Sequence, residues 1–333
     1  GVTHISFSPD GKTIASASND KTVKLWRASD RQLIATFTGH KDAVNAVSFS
    51  PDGKTIASAS NDKTVKLWRV SDRQLIATLR HSDVVNAISF SPDGKTIASA
   101  SGDKTVKLWR VSDRQLIATL TGHEDVVYGV SFSPDGQTIA SASGDKTVKL
   151  WKRDGSLITT LTEHSNGVYG VSFSPDGQTI ASARGDFTVK LWKRDGNLIT
   201  TLSGHNNSVT DVSFSPDGQT IASASHDKTI KFWKQDESLV TTLTRHSNSV
   251  KDVSFSPDGQ IMASASHDNT VKLWRRDGTP ITTLTGHQGK VLRVSFSPNG
   301  QKIASASSDK TVKLWNVSDG KLINTLQHKA QVN

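Results

Sequence analysis

Cysteine is absent from the 333 residues. Neither a disulfide framework nor a thiolate metal site is therefore possible, and a reducing compartment is compatible with the chain. Methionine occurs once, as Met262, so the chain starts at Gly1 without an initiator and is expected to be a piece of something longer. No apolar run reaches the length of a membrane span, and the first residues do not read as a signal peptide. A cytoplasmic location without membrane contact is the expectation. No window offers an amphipathic helical pattern. Tyrosine is scarce, with Tyr128 and Tyr169 alone. Acidic side chains are the minority, 31 against 40 basic ones, for a formal charge of +9. Such an excess suits a nucleic-acid partner when it is gathered in one stripe. Here lysine recurs in every unit, as at Lys66 and Lys107, so the charge is spread over the surface and nucleic acid is not expected.

What is present is repetition. Tryptophan occurs at 26, 68, 109, 151, 192, 233, 274 and 315, spaced 41 or 42 residues apart. Ser-Pro-Asp-Gly precedes each one, starting at Ser8, Ser50, Ser91, Ser133, Ser174, Ser215 and Ser256, with Ser-Pro-Asn-Gly at Ser297. A period of this length marks supersecondary units that bury their apolar faces against one another. In the second unit, residues 44–49, 55–60, 64–68 and 74–79 read as four short strands. Between them lie Ser50-Pro51-Asp52-Gly53, Asn61-Asp62-Lys63 and Ser71-Asp72-Arg73. Proline presets one backbone angle of the first turn and glycine supplies the positive one. A sheet with two apolar faces cannot stand alone. Radial stacking buries both faces and leaves short protected edges, which is a propeller.

The chain resembles the WD40 family over its whole length, most closely the highly repetitive bacterial WD40 proteins. The residues that carry this are Gly-His at Gly39, Gly122, Gly204 and Gly286, the glycine-less His81, His164, His246 and His328, and runs such as Asp62-Lys63-Thr64-Val65-Lys66-Leu67-Trp68. The aspartate usual after tryptophan is replaced by Arg27, Arg69, Arg110, Lys152, Lys193, Lys234, Arg275 and Asn316. The expected fold is all-β: a single eight-bladed propeller of four antiparallel strands per blade, each blade contiguous in sequence. One domain should span 1–333, with blades near 1–38, 39–80, 81–121, 122–162, 163–203, 204–244, 245–285 and 286–333.

Every unit holds histidine, serine and aspartate, the residue types of a nucleophilic triad. The resemblance implies another role, a hydrogen-bonded tetrad with the tryptophan. For the second blade it would comprise His40, Ser58 (or Ser60), Asp62 and Trp68; for the fourth, His123, Ser141, Asp145 and Trp151. No catalytic residue, cofactor or metal is expected. The first unit has Ser16, Asp20 and Trp26 but no histidine ahead of Val2. His328, which would ordinarily introduce a further blade, is expected to complete that tetrad and help close the ring. His4, inside the first strand, is the weaker substitute. The strand exchange that usually latches such a ring would be missing, unless residues 330–333 add a pairing.

Function should sit where the copies differ, on loops carried by a rigid scaffold. Near the start of the first strand one aligned position reads Thr3, Asn45, Asn86, Tyr128, Tyr169, Thr210, Lys251 and Leu292. The next reads His4, Ala46, Ala87, Gly129, Gly170, Asp211, Asp252 and Arg293. Tyr128, Tyr169, Arg184 and Phe187 form the first candidate binding patch, because aromatics and arginine dominate interaction hot spots. Asp211, His226, Asp252 and His267 complete the candidate surface. The two histidines are metal-ligand types on blades expected to hold them too far apart to share one ion. The leading reading is a non-catalytic interaction scaffold for a protein or peptide, as the sensor or scaffold part of a larger bacterial signalling protein. The alternative is a recently amplified or engineered array with an architectural role only. A monomer is expected, with a blade-swapped oligomer as the other outcome of near-identical repeats.

Overall fold

Strands form where β-branched and aromatic residues alternate, and the turns between them are closed by side chains. In blade two the strands Val44–Phe49, Thr55–Ser60, Thr64–Arg69 and Leu75–Arg80 pair antiparallel in chain order. The computed structural model describes residues 1–30, 32–236 and 238–328, and of Arg184 the backbone alone. Among these residues there are eight four-stranded sheets, each in chain order, and no helix. Each blade is thus contiguous and no strand leaves its own unit. Residues 330–333, where an added pairing was considered, lie outside the described residues.

The Ser-Pro-Asp-Gly turn is self-bonded. Ser50 Oγ donates to Asp52 Oδ1 at 2.6 Å, and the Thr55 N–H donates to Ser50 Oγ at 2.9 Å. Gly53 takes φ of 69°, a left-handed conformation that costs other residues energy. A Cβ on Gly53 would stand 3.5 Å from the Pro9 ring of blade one, so consecutive turns pack against one another.

First strands surround the axis and fourth strands form the rim, where Leu75 and Leu157 are exposed. The core lies between sheets. Ala15, Ala17, Val23, Leu25 and Phe37 of blade one meet Val44, Val47, Phe49, Ile56 and Trp68 of blade two. Alanine and serine on the second strand let the next sheet come close. Each fully buried valine, leucine or isoleucine contributes about 1.5–3 kcal/mol, so packing supplies most of each seam.

The last seam is built like the others. Val2, Ile5, Ile14 and Trp26 of blade one pack on Ala304, Ala306, Val312, Leu314 and Leu326 of blade eight. Lys302 Nζ adds a bond across it to the Ala28 carbonyl at 3.0 Å. At the Ser-Pro-Asp-Gly end two kinds of brace link neighbours. Ala28, Val70, Val111 and Val317 pack apolar side chains into the seam with the preceding blade. In the same place Arg153, Arg194 and Arg276 reach back to Asp93, Asp135 and Asp217 at 2.8, 2.6 and 2.5 Å.

Candidate functional site

Each blade buries one polar network. In blade two the Trp68 indole N–H donates to Ser58 Oγ at 2.9 Å, and His40 Nε2 lies 2.7 Å from that oxygen. His40 Nδ1 lies 2.8 Å from Asp62 Oδ2. A carboxylate only accepts, so Nδ1 carries the proton and Nε2 accepts the serine hydroxyl. Asp62 also takes the Lys41 N–H at 2.8 Å, the Thr64 N–H at 3.0 Å and the Thr64 hydroxyl at 2.6 Å. Burial works against the Asp62 carboxylate, but these donors outweigh it and hold its pKa below the usual range. Burial holds His40 below its ordinary value, with Asp62 opposing. Of the two serines open in the sequence, Ser58 is the member; Ser60 Oγ donates instead to the Asp42 carbonyl at 3.1 Å.

Blade four repeats this with His123, Ser141, Asp145 and Trp151, at 2.7 Å from histidine to serine, 2.7 Å from histidine to aspartate and 2.8 Å from indole to serine. In blade one the histidine comes from the far end of the chain. His328 Nε2 lies 2.7 Å from Ser16 Oγ and its Nδ1 lies 3.1 Å from Asp20 Oδ2, while Trp26 donates to Ser16 at 2.8 Å. His4 takes no part; it stands on the channel wall. Ser16, Ser58 and Ser141 have no exposed surface and each already accepts an indole proton, so none is placed to attack a substrate.

The variable positions lie deeper than flat-end loops. In every blade the first strand carries a bulge after its first residue. Val127 pairs with Ser143 and Gly129 with Ala142, which leaves Tyr128 as the extra residue. Thr3, Asn45, Asn86, Tyr169, Thr210, Lys251 and Leu292 are extra in the same way. A bulge re-aims its side chain. Thr3, Asn45, Asn86 and Thr210 turn theirs onto the next blade, bonding the carbonyls of Val44, Val85, Val127 and Val250 at 2.5, 2.9, 3.0 and 2.6 Å. Tyr128 and Tyr169 instead meet each other, with ring centroids 4.2 Å apart and planes at 37°.

The residues after the bulges form a ring on the wall of a channel cavity of about 480 Å³. Ala46, Ala87, Gly129 and Gly170 line one arc and Asp211, Asp252, Arg293 and His4 the other. Asp211 Oδ2 accepts the Val253 N–H at 3.0 Å and Asp252 Oδ2 the Val294 N–H at 2.7 Å, each across a seam. Arg293 Nη1 stands 3.8 Å from Asp252 Oδ1. Burial and then the charge of Asp252 push Asp211 up, to about 8, and burial also raises Asp252. Burial and the neighbouring carboxyl thus favour the protonated form of Asp211 at neutral pH. Burial and the neighbouring Arg293 hold His4 down, to about 3.

Of the sequence candidates, the channel collects Tyr128, Tyr169, Asp211 and Asp252. Phe187 is not on its wall; it sits on the turn after Asp186, 42% exposed, at φ of 68°. The Arg184 side chain lies outside the described residues; its backbone pairs with Val168 and Thr188. His226 and His267 hold the same turn position in adjacent blades, and the His226 ring bonds Ser249 Oγ at 3.0 Å. Among the described residues no group of three or more His, Cys, Asp or Glu is arranged to hold a metal ion. Arg293 and His4 were not nominated as a binding surface, although both fall in the aligned column of Asp211 and Asp252.

Comparison with known proteins places this geometry. Residues 114–152, 155–193, 196–234, 237–275 and 278–316 match the family described as WD domain, G-beta repeat. The chain belongs to the WD40-repeat family. Residues 1–116 of this WD40 propeller match the IFT122 first beta-propeller. Two curated relatives share single units with it. The Notchless protein homolog of Arabidopsis thaliana is 56% identical over 39 residues, 12% of this chain and 8% of its own. Ribosome assembly protein 4 of Saccharomyces cerevisiae is 53% identical over 36 residues, 11% of this chain and 7% of its own. The chain thus spans under a tenth of the length of either relative. Among solved structures, the computationally designed Ika8 protein superposes with a TM-score of 0.85 at 27% identity, over 95% of this chain and 96% of that one. WD40 propellers are typically non-catalytic interaction scaffolds for proteins or peptides. No helix among the described residues is long and apolar enough to cross a membrane.

Proposed function

We propose that this WD40 propeller is a non-catalytic interaction module that receives a protein or peptide segment at the channel mouth, between the tyrosine pair and the charged arc. The observation that carries this is the pairing of Tyr128 with Tyr169. They are the chain's only tyrosines, re-aimed by matching bulges in adjacent blades and half-buried on the channel wall. Rigid aromatic rings give large contact area at low entropic cost. In the wider reading the module is the sensor or scaffold part of a larger cytoplasmic bacterial signalling protein, and it acts as a monomer.

The test is a partner screen with the chain and with Tyr128→Ala and Tyr169→Ala. Partners of the mouth should bind at least about tenfold more weakly to either variant, a loss of about 1.4 kcal/mol. Partners indifferent to both changes would favour the second reading, an array amplified for architecture alone. The likeness to a designed propeller and the near identity of the blades support that second reading.

A further inference from the structure

We propose that the channel wall of blades three to five is a row of backbone donors, the N–H groups of Ile88, Val130 and Val171, which takes the carbonyl oxygen of an amide in a bound peptide. This rests on the reading of the mouth as a peptide-binding surface and names the chemistry of the segment it receives.

The first strand is the inner edge of every sheet, so alternate N–H groups along it point away from the sheet with no strand beside them. In blades seven and eight the preceding blade supplies the acceptor. Asp211 takes the Val253 N–H and Asp252 the Val294 N–H, at 3.0 and 2.7 Å. From the same position in blade one, His4 meets the backbone of Val47 in blade two. Val253 and Val294 stand opposite the second-strand serines Ser264 and Ser305. Ile88, Val130 and Val171 stand opposite Ser99, Ser141 and Ser182 in the same register, so their N–H groups point the same way. The residues placed to reach them are Ala46, Ala87 and Gly129, which carry no polar side-chain atom. Among the described residues no side chain accepts from these three N–H groups, and all three residues line the cavity. One arc of the wall thus shows what fits the other, an oxygen seated on the edge of the first strand.

The same comparison selects a neutral oxygen. Burial raises both Asp211 and Asp252 although each accepts an N–H, so one backbone donor does not offset the burial of a charge there. Beside Ile88, Val130 and Val171 the wall adds Ala87, Gly129, Gly170, Asn86 and the tyrosine pair, none of them basic. Arg293 stands on the other arc, next to Asp252. An amide also brings an N–H of its own. Within a cavity of about 480 Å³, the carboxyl oxygens of Asp211 and Asp252 are the acceptors that the other arc offers it.

The experiment follows the backbone N–H signals of the isotope-labelled full chain by NMR while acetamide, N-methylacetamide, acetate or methylammonium is added. Acetamide stands for an asparagine or glutamine side chain, and N-methylacetamide for the peptide backbone; the tighter of the two identifies the source. At least one amide should bind about tenfold more tightly than acetate, read from the Ile88, Val130 and Val171 signals. Ala87→Asp builds the Asp211 arrangement into blade three, and Ala87→Asn does so without the charge. Either variant, if it melts as the parent does, should silence the response of the Val130 signal and weaken the amide at least about threefold. Acetate as tight as the amides, binding of methylammonium alone, shifts confined to other residues, or unchanged amide binding in both Ala87 variants overturns the proposal. If the amides fail while a partner is still lost in Tyr128→Ala, the donor row falls and the tyrosine reading stands.

Discussion

The two arcs of the channel wall have the same backbone and opposite chemistry. Blades two to five present Ala46, Ala87, Gly129 and Gly170, whereas blades six, seven, eight and one present Asp211, Asp252, Arg293 and His4. On the bare arc the seams are held by packing, by amide bonds from the bulge residues Asn45 and Asn86 and by the contact of the two tyrosines. On the charged arc two carboxylates are drawn into the wall and bond the next strand directly. Eight copies of one scaffold thus tolerate both solutions, because the shared layer between sheets carries most of the stability and leaves the axis free to vary.

The charged arc includes the seam where the chain ends meet, and its polar closure is the largest expected effect. His328→Ala should cost about 1–3 kcal/mol in urea unfolding, since Ser16 and Asp20 lose a buried partner. His205→Ala, inside the ring, should cost a similar amount. An unchanged transition for His328→Ala alone would show that packing closes the ring without it. On the bare arc, two glycines at the same position should part company. A Cβ on Gly129 would stand 2.8 Å from the Tyr169 carbonyl oxygen, whereas one on Gly170 meets nothing within 4 Å. Gly129→Ala should therefore destabilise by about 1–3 kcal/mol, and Gly170→Ala should be neutral or stabilise by up to about 1 kcal/mol. Equal effects would mean that the wall of the bare arc yields.

The arcs should also differ in their response to pH. The unfolded Asp211 ionises near its ordinary 3.8 while the folded group holds its proton to about 8. Between those values the folded state binds more protons, so this contribution to stability falls as pH rises. Asp211→Asn keeps an acceptor for the Val253 N–H and supplies a donor to Asp252. It should stabilise the protein at pH 8–9 by on the order of 1–3 kcal/mol and flatten the alkaline slope. A slope unchanged in this variant would show that Asp211 does not hold its proton into the neutral range. The tetrad histidines act the other way. His40, His81, His205 and His328 are held below 6.5, so their contribution is present above that value and is lost as pH falls below it. The smallest effect belongs to the turn between the second and third strands of blade five. Phe187 adopts a left-handed backbone that asparagine accepts more readily, as at Asn269 with φ of 70°. Phe187→Asn should raise stability by about 0.5–1 kcal/mol, measured by thermal unfolding.

Much of this was legible in the sequence, because the relevant information is local and repeated. The strands of blade two fall within a residue of the pattern read from Val44, Thr55, Thr64 and Gln74. The orphaned first unit and the surplus His328 together pointed to a ring with a polar clasp. The choice of Ser58 over Ser60 was not legible. Both lie on one face of the second strand, and the pairing register, which sets Ile56 opposite Trp68, brings Ser58 nearer the indole than Ser60. Nor was the bulge. Tyr128 and Gly129 read as consecutive strand residues, and nothing in their types says that the first is unpaired. The channel wall therefore looked like part of a loop surface, and Arg293 and His4 went unrecognised beside Asp211 and Asp252.

The order of residues by itself settled the period, the four strands of each unit, their turns and the polar quartet that each unit buries. Those features depend on spacing within about forty residues, and the repeat states them eight times. Tertiary structure alone decided which side chains from different blades face one another across the axis. That follows from the angle between sheets and from an extra residue in each inner strand, which bring together groups that lie a whole repeat apart in the chain.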